Sequence, residues 1–114
     1  MKSKIVSLSN NREFKSLLEG KKITNKYSTI FFKKLINKSS NKLNISFVTK
    51  KKIGNAVVRN KIKRRLRNIM NEIVKQKKIN LKFCYLVIAK KVIFDDNYNE
   101  IKENLIFKLK KTLA

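Results

Sequence analysis

The chain has 114 residues, with 30 Lys and Arg against seven Asp and Glu for a formal charge of +23, one cysteine and no histidine. That length suits a single domain, 1–114, burying roughly two thirds of the surface its unfolded form exposes, and so large a charge repels itself in the compact state unless counterions or a polyanionic partner screen it. The longest apolar run, Phe83 to Ala89, is far short of the roughly 18 residues of a membrane span. Binding to an anionic membrane surface is the weaker reading, because such basic segments usually carry aromatic or leucine-rich faces without a competing globular core, and no membrane partner is expected.

From the N-terminus, Met1 to Ser9 carries basic residues but no sustained apolar region or small-residue cleavage site; it is a poor secretory signal, and a cytoplasmic location is the default. Asn10 and Glu13 have capping-box spacing, Phe14, Leu17 and Leu18 form an apolar side, and Gly20 stands where a helix would stop. The segment from Ile23 to Ile36, with Tyr27, Ile30, Phe31 and Phe32, predicts a short strand and then a longer one. Asn37 to Lys42 reads as a turn, and the alternation of Leu43, Ile45 and Phe47 beyond it predicts a hairpin.

A helix is expected from Ala56 to near Lys75, beginning after a glycine turn. Phe83 to Ala89 is too apolar to alternate, as expected of a central strand covered on both faces. Asn97 and Glu100 again have capping-box spacing, and Tyr98, Ile101, Leu105 and Leu109 form the stripe of a closing helix. The order is helix-strand-strand-strand-helix-strand-helix, an α+β chain.

The run Lys51 to Arg67 joins that glycine turn to a cationic helix. At about 100° per residue, Val58, Ile62, Leu66, Ile69, Met70 and Ile73 share one apolar stripe. Arg59, Asn60, Lys63, Arg64 and Arg67 share an adjacent face. Like charges at i, i+4 destabilise an isolated helix by a few tenths of a kcal/mol, roughly, per pair. A polyanion would compensate them. The bland alternative is the solvated face of a helix in a very basic protein. Against it, the first acid after Arg59 is Glu72. Abundant Lys, Asn and Ile with no proline point to an AT-rich coding sequence, which inflates lysine. The four arginines between Arg59 and Arg67 resist that drift and are the better witness.

Cutting a phosphodiester with protein groups alone usually takes a histidine pair for proton transfer or clustered carboxylates holding metal ions. Neither is evident, no spacing singles out a lysine or tyrosine for the task, and the adjacent Asp95 and Asp96 read as helix caps. Cys84, with no second cysteine and no histidine, reads as core filling. The residues describe a binder of RNA, with no metal bound tightly by the protein and no small-molecule substrate expected.

Gly54-Asn55-Ala56-Val57 followed by Arg59-Asn60, Lys63-Arg64 and Arg67 closely resembles the RNR motif of the bacterial ribonuclease P protein family. The resemblance extends over essentially the whole chain. It implies an α/β sandwich of ribosomal-protein-like fold with a left-handed strand-helix-strand crossover, an exception to a rule obeyed in about 98% of cases. It further implies a subunit of an endoribonuclease in which the RNA subunit performs the chemistry with Mg2+. The protein would bind that RNA and the 5′ leader of precursor tRNA. By the resemblance, Arg59, Asn60, Lys63, Arg64 and Arg67 contact the catalytic RNA, Lys52 and Asn55 edge the leader cleft, and Phe14 and Phe31 line it. On helix and strand spacing alone, both aromatics read as ordinary core packing, and it is the resemblance that brings the cleft reading level with it. Three positions depart from the family pattern: Lys61 replaces an arginine, Leu18 a second cleft aromatic, and Ser7 an arginine before Leu8. A ribosomal or RNA-chaperone protein of similar fold, using the same helix on ribosomal RNA, is the alternative.

Overall fold

The computed structural model describes residues 5–6, 11–34 and 43–110, with side chains described from residue 15 onward within them. The elements are β1 (Ile5–Val6), α1 (Asn11–Leu18), β2 (Lys21–Thr24), β3 (Ser28–Lys34), β4 (Leu43–Val48), a single 3-10 turn (Lys51–Ile53), α2 (Ala56–Lys75), β5 (Phe83–Ala89), α3 (Val92–Asp95) and α4 (Tyr98–Leu109). The five strands form one sheet in the order β1-β4-β5-β3-β2.

The expected hairpin between the long strand and the Leu43 segment is not formed. β5 lies between β3 and β4, antiparallel to the first and parallel to the second. Its apolar sequence explains the insertion, because a strand covered on both faces gains most at the centre of a sheet. The hairpin that does form joins β2 to β3. Its turn closes on Asn25, whose amide oxygen accepts from the backbone N–H groups of Tyr27 and Ser28 at 2.7 and 2.9 Å. Such an Asx turn reverses the chain within a few residues. The turn expected over 37–42 and the Asn10 cap lie outside the described residues. β1 and the single-turn α3 are elements the sequence pattern does not announce.

One sheet face carries the main core. Leu43, Ile45, Tyr85 and Val87 on that face meet Ile62, Leu66, Ile69, Met70 and Ile73 of α2, and Ile101, Leu105 and Leu109 of α4. Both helix stripes thus face inward, and each large aliphatic so buried contributes about 1.5–3 kcal/mol. Phe32 and Phe83 add an edge-to-face pair at 5.3 Å on the same side. The β4-α2-β5 connection is the parallel crossover for which the resemblance implies a left hand.

The opposite face is covered more sparingly, by α1. There Leu17 is buried against Leu86, with Phe31, Val48 and Cys84 packed around them. Cys84 therefore belongs to this second, smaller cluster rather than the main core, and its thiol donates to the Lys33 carbonyl at 3.5 Å. Gly20 follows α1 because space demands it: a Cβ there would lie 2.7 Å from the Phe32 carbonyl oxygen.

Candidate nucleic-acid interface

α2 begins where its sequence says it should. Asn55 is the N-cap, its side-chain oxygen accepting from the Val58 N–H at 3.0 Å, an arrangement worth about 1 kcal/mol. The residue expected at the edge of a leader cleft thus also anchors the helix. The preceding Gly54 has extended backbone, and a Cβ there would stand 3.0 Å from Val58. A side chain at that position would push against the first helical turn.

The cationic residues of α2 divide into two groups. Asn60, Arg64 and Arg67 are exposed, while Arg59 and Lys63 are half-buried beside them. Arg59 holds a buried Nε with no hydrogen-bond acceptor among the described residues. A donor so placed costs free energy until an acceptor arrives. On the other flank, Lys61 and Arg65 turn toward α3. The Lys61 ammonium stands 4.3 Å from the Phe94 ring centre. Arg65 donates to the carbonyl oxygens of Ile93 (2.7 Å), Phe94 (3.1 Å) and Asp96 (2.9 Å). Sequence reasoning counted Arg65 among the four clustered arginines and left it off the cationic face, but gave it no role of its own. Its place on the flank of the stripe, beside Ile62 and Ile69, is the signal that could have assigned one.

The capping role expected of Asp95 and Asp96 is not what they do. Asn97 caps α4, accepting from the N–H groups of Asn99 and Glu100. Asp95 ends α3. Asp96 accepts instead from the Tyr27 hydroxyl at 2.8 Å and pairs with Lys26 at 3.2 Å. Those two bonds, Tyr27 first, hold its carboxyl below the ordinary carboxylate range. Tyr98 donates to Glu72 of α2 at 2.7 Å, and burial pushes its hydroxyl up to about 12. It therefore stays a donor at neutral pH.

On the α1 side of the sheet, Phe31 is half-buried and shares its face with Thr29 and, across the register, with Leu86 and Ile88. Leu18 is 51% exposed. Phe14 lies within α1, one helical turn before Leu18, and its side chain is outside the described set. Ser7 is outside the described residues. Toward the Thr29 end opens a recess of about 390 Å³ with Thr29, Ile53, Ile88 and Ala89 among its walls. Lys50, Lys52, Lys90 and Lys91 complete its lining, which includes no acid. An apolar floor inside a cationic rim suits a base with its phosphate. Lys52 is the one sequence-predicted residue in this recess; Lys50, Lys90 and Lys91 were missed because lysine runs are uninformative in so basic a chain.

Among the described residues no three His, Cys, Asp or Glu side chains gather as metal ligands. No described helix is long and apolar enough to cross a membrane.

Comparison with known proteins places this geometry. The chain is 36% identical over 110 residues to the ribonuclease P protein component of Listeria monocytogenes, covering 96% of this chain and 89% of that one. It is 31% identical over 108 residues to the same component of Streptococcus agalactiae, covering 94% of each. Among solved structures it matches the RNase P protein from Thermotoga maritima with a TM-score of 0.78 at 27% identity, over 93% of this chain and 96% of that one. A family model described as Ribonuclease P matches residues 2–113, and with that match over nearly its whole length the chain belongs to the ribonuclease P protein family.

Proposed function

We propose that this chain binds the catalytic RNA of ribonuclease P through the outer arc of α2 and the single-stranded 5′ leader of precursor tRNA along the α1 side of the sheet. The observation that carries the reading is the arc itself. Arg59, Asn60, Lys63, Arg64 and Arg67 lie together on a helix whose apolar stripe is buried, and no acid occurs between Arg59 and Glu72. Family membership brings with it a role in forming tRNA 5′ ends. In this reading the RNA performs the cleavage and holds the Mg2+, and the protein contributes affinity.

The leader would run from α1 past Phe31 to the lysine-rimmed recess, with Lys52 and Asn55 at its edge. Unpaired bases stack on aromatic rings for roughly 1–3 kcal/mol each, whatever the base. Such tolerance suits a leader of variable sequence. Phe14 and exposed Leu18 belong to the same stretch, where leucine offers apolar contact without a stacking face.

Reconstitution tests the proposal. Mixed with a bacterial ribonuclease P RNA at low magnesium, the protein should raise the rate of precursor tRNA cleavage above that of RNA alone. No stimulation would reject it. Stimulation that is the same with and without the 5′ leader would leave the RNA-docking half and remove the leader half.

A further inference from the structure

The two surfaces just described lie on different elements, and a continuous chain of hydrogen bonds joins them. Arg65 of α2 donates to three carbonyl oxygens at the end of α3, those of Ile93, Phe94 and Asp96. The Asp96 carboxylate then takes the Tyr27 hydroxyl at 2.8 Å and the Lys26 ammonium at 3.2 Å. Tyr27 is buried, and its backbone carbonyl accepts from the N–H of Lys90 at 2.9 Å. The Lys90 ammonium closes on the carbonyl of Asn25 at 2.8 Å. Lys90 and Lys91 line the recess.

We propose that Arg65, Asp96 and Tyr27 form a strut that fixes the cationic arc of α2 relative to the lysine-rimmed end of the cleft, so that RNA docking and leader capture occur in one register. The inference rests on the function proposed above and names its positioning residues. A guanidinium suits the task because its planar fork satisfies several acceptors at once from a fixed stem. The carbonyls at the end of a one-turn helix have no helical partners of their own. Nothing in the strut touches RNA. Its effect is geometric, and a misplacement of about 1 Å is enough to separate two contacts that must be made together.

The test uses Arg65→Met, which removes the fork and keeps an apolar stem, and Tyr27→Phe, which removes a single hydroxyl. Holoenzymes are compared on precursor tRNA with and without its leader, and affinity for the catalytic RNA is measured separately. Arg65→Met should leave affinity for the catalytic RNA within about twofold while the leader-dependent gain in substrate affinity falls about tenfold. KM should rise with kcat at saturation unchanged. Tyr27→Phe should shift the same quantity less, and the double variant should lose no more than Arg65→Met alone, as expected of residues on one path. In the protein alone, spin labels at Asn68→Cys and Lys91→Cys in a Cys84→Ser background should show a broader distance distribution once Arg65 is replaced.

Retention of the full leader-dependent gain by both variants overturns the strut. So does a parallel loss of RNA affinity and leader gain, which would signify general destabilisation. If Arg65→Met fails to fold, Tyr27→Phe decides on its own. Were the unaltered protein to show no leader-dependent gain, the leader half of the proposed function would fall and take the strut with it; a gain in the unaltered protein that both variants keep removes the strut alone.

Discussion

Arg64 and Arg65 are neighbours in sequence with identical chemistry, yet the two flanks of α2 use them in opposite ways. Arg64 stands exposed on the outer arc, whereas Arg65 gives its donors to three backbone carbonyls of the α3 corner. Lys61 follows Arg65, one turn earlier, in facing Phe94. A count of basic residues would treat all of these as one patch. Direction from the helix axis decides which charges stay open to the proposed polyanion and which bond to the rest of the fold. The departure of Lys61 from the family arginine is consistent with that division, since a lysine on the inward flank needs no bidentate fork.

Breaking the inward flank should have the largest effect on stability. Arg65→Met strands three carbonyls, and we expect a loss of about 2–3 kcal/mol in chemical denaturation, with no such loss for Arg64→Met. Equal effects would erase the distinction between the flanks. Next comes the helix start. Asn55→Ala should cost about 1 kcal/mol through the lost cap, and Asn55→Ser should restore most of it. A serine variant that recovers stability but not RNA affinity would separate the cap from a contact made by the amide.

Asp96 sharpens the comparison through pH. Because its folded carboxyl titrates below its ordinary value, its contribution is complete above the unfolded value near about 4 and is lost as pH falls through the folded one. Asp96→Asn should therefore flatten the acid limb of the stability profile. An unaltered limb would mean that the Tyr27 and Lys26 contacts are not maintained in solution. The smallest effect on stability belongs to Arg64→Ala, within about 0.5 kcal/mol. Its signature should instead be a shallower dependence of log RNA affinity on log salt, by roughly 0.7–0.9. An unchanged slope would remove Arg64 from the docking arc.

Much of this arrangement is legible in the sequence, for identifiable reasons. The α2 stripe from Val58 to Ile73 repeats cleanly over about four turns, and Asn55 sits where a cap must, so the helix and its start follow from pattern. β5 is apolar throughout and takes the centre. The pairing of β3 is not legible. Adjacency in sequence favours a hairpin with β4, but the competing strand arrives fifty residues later and wins by burial on both faces. Asp96 looks like a cap because it precedes a helix; a tertiary partner 69 residues away claims it instead. Gly20 is visible as a helix stop, while the close carbonyl that makes glycine necessary belongs to a strand the sequence cannot align with it.

The outer border of the sheet has a consequence for the chain before it meets any RNA. β2 is the border strand on one side, only four residues long, with Lys21, Lys22 and Thr24 exposed and Ile23 alone turned inward. Short, lysine-bearing borders resist recruiting a second molecule's strand, because pairing would bring like charges side by side. The same excess of positive charge that the proposed RNA partner would neutralise thus also disfavours strand pairing between two copies along this border.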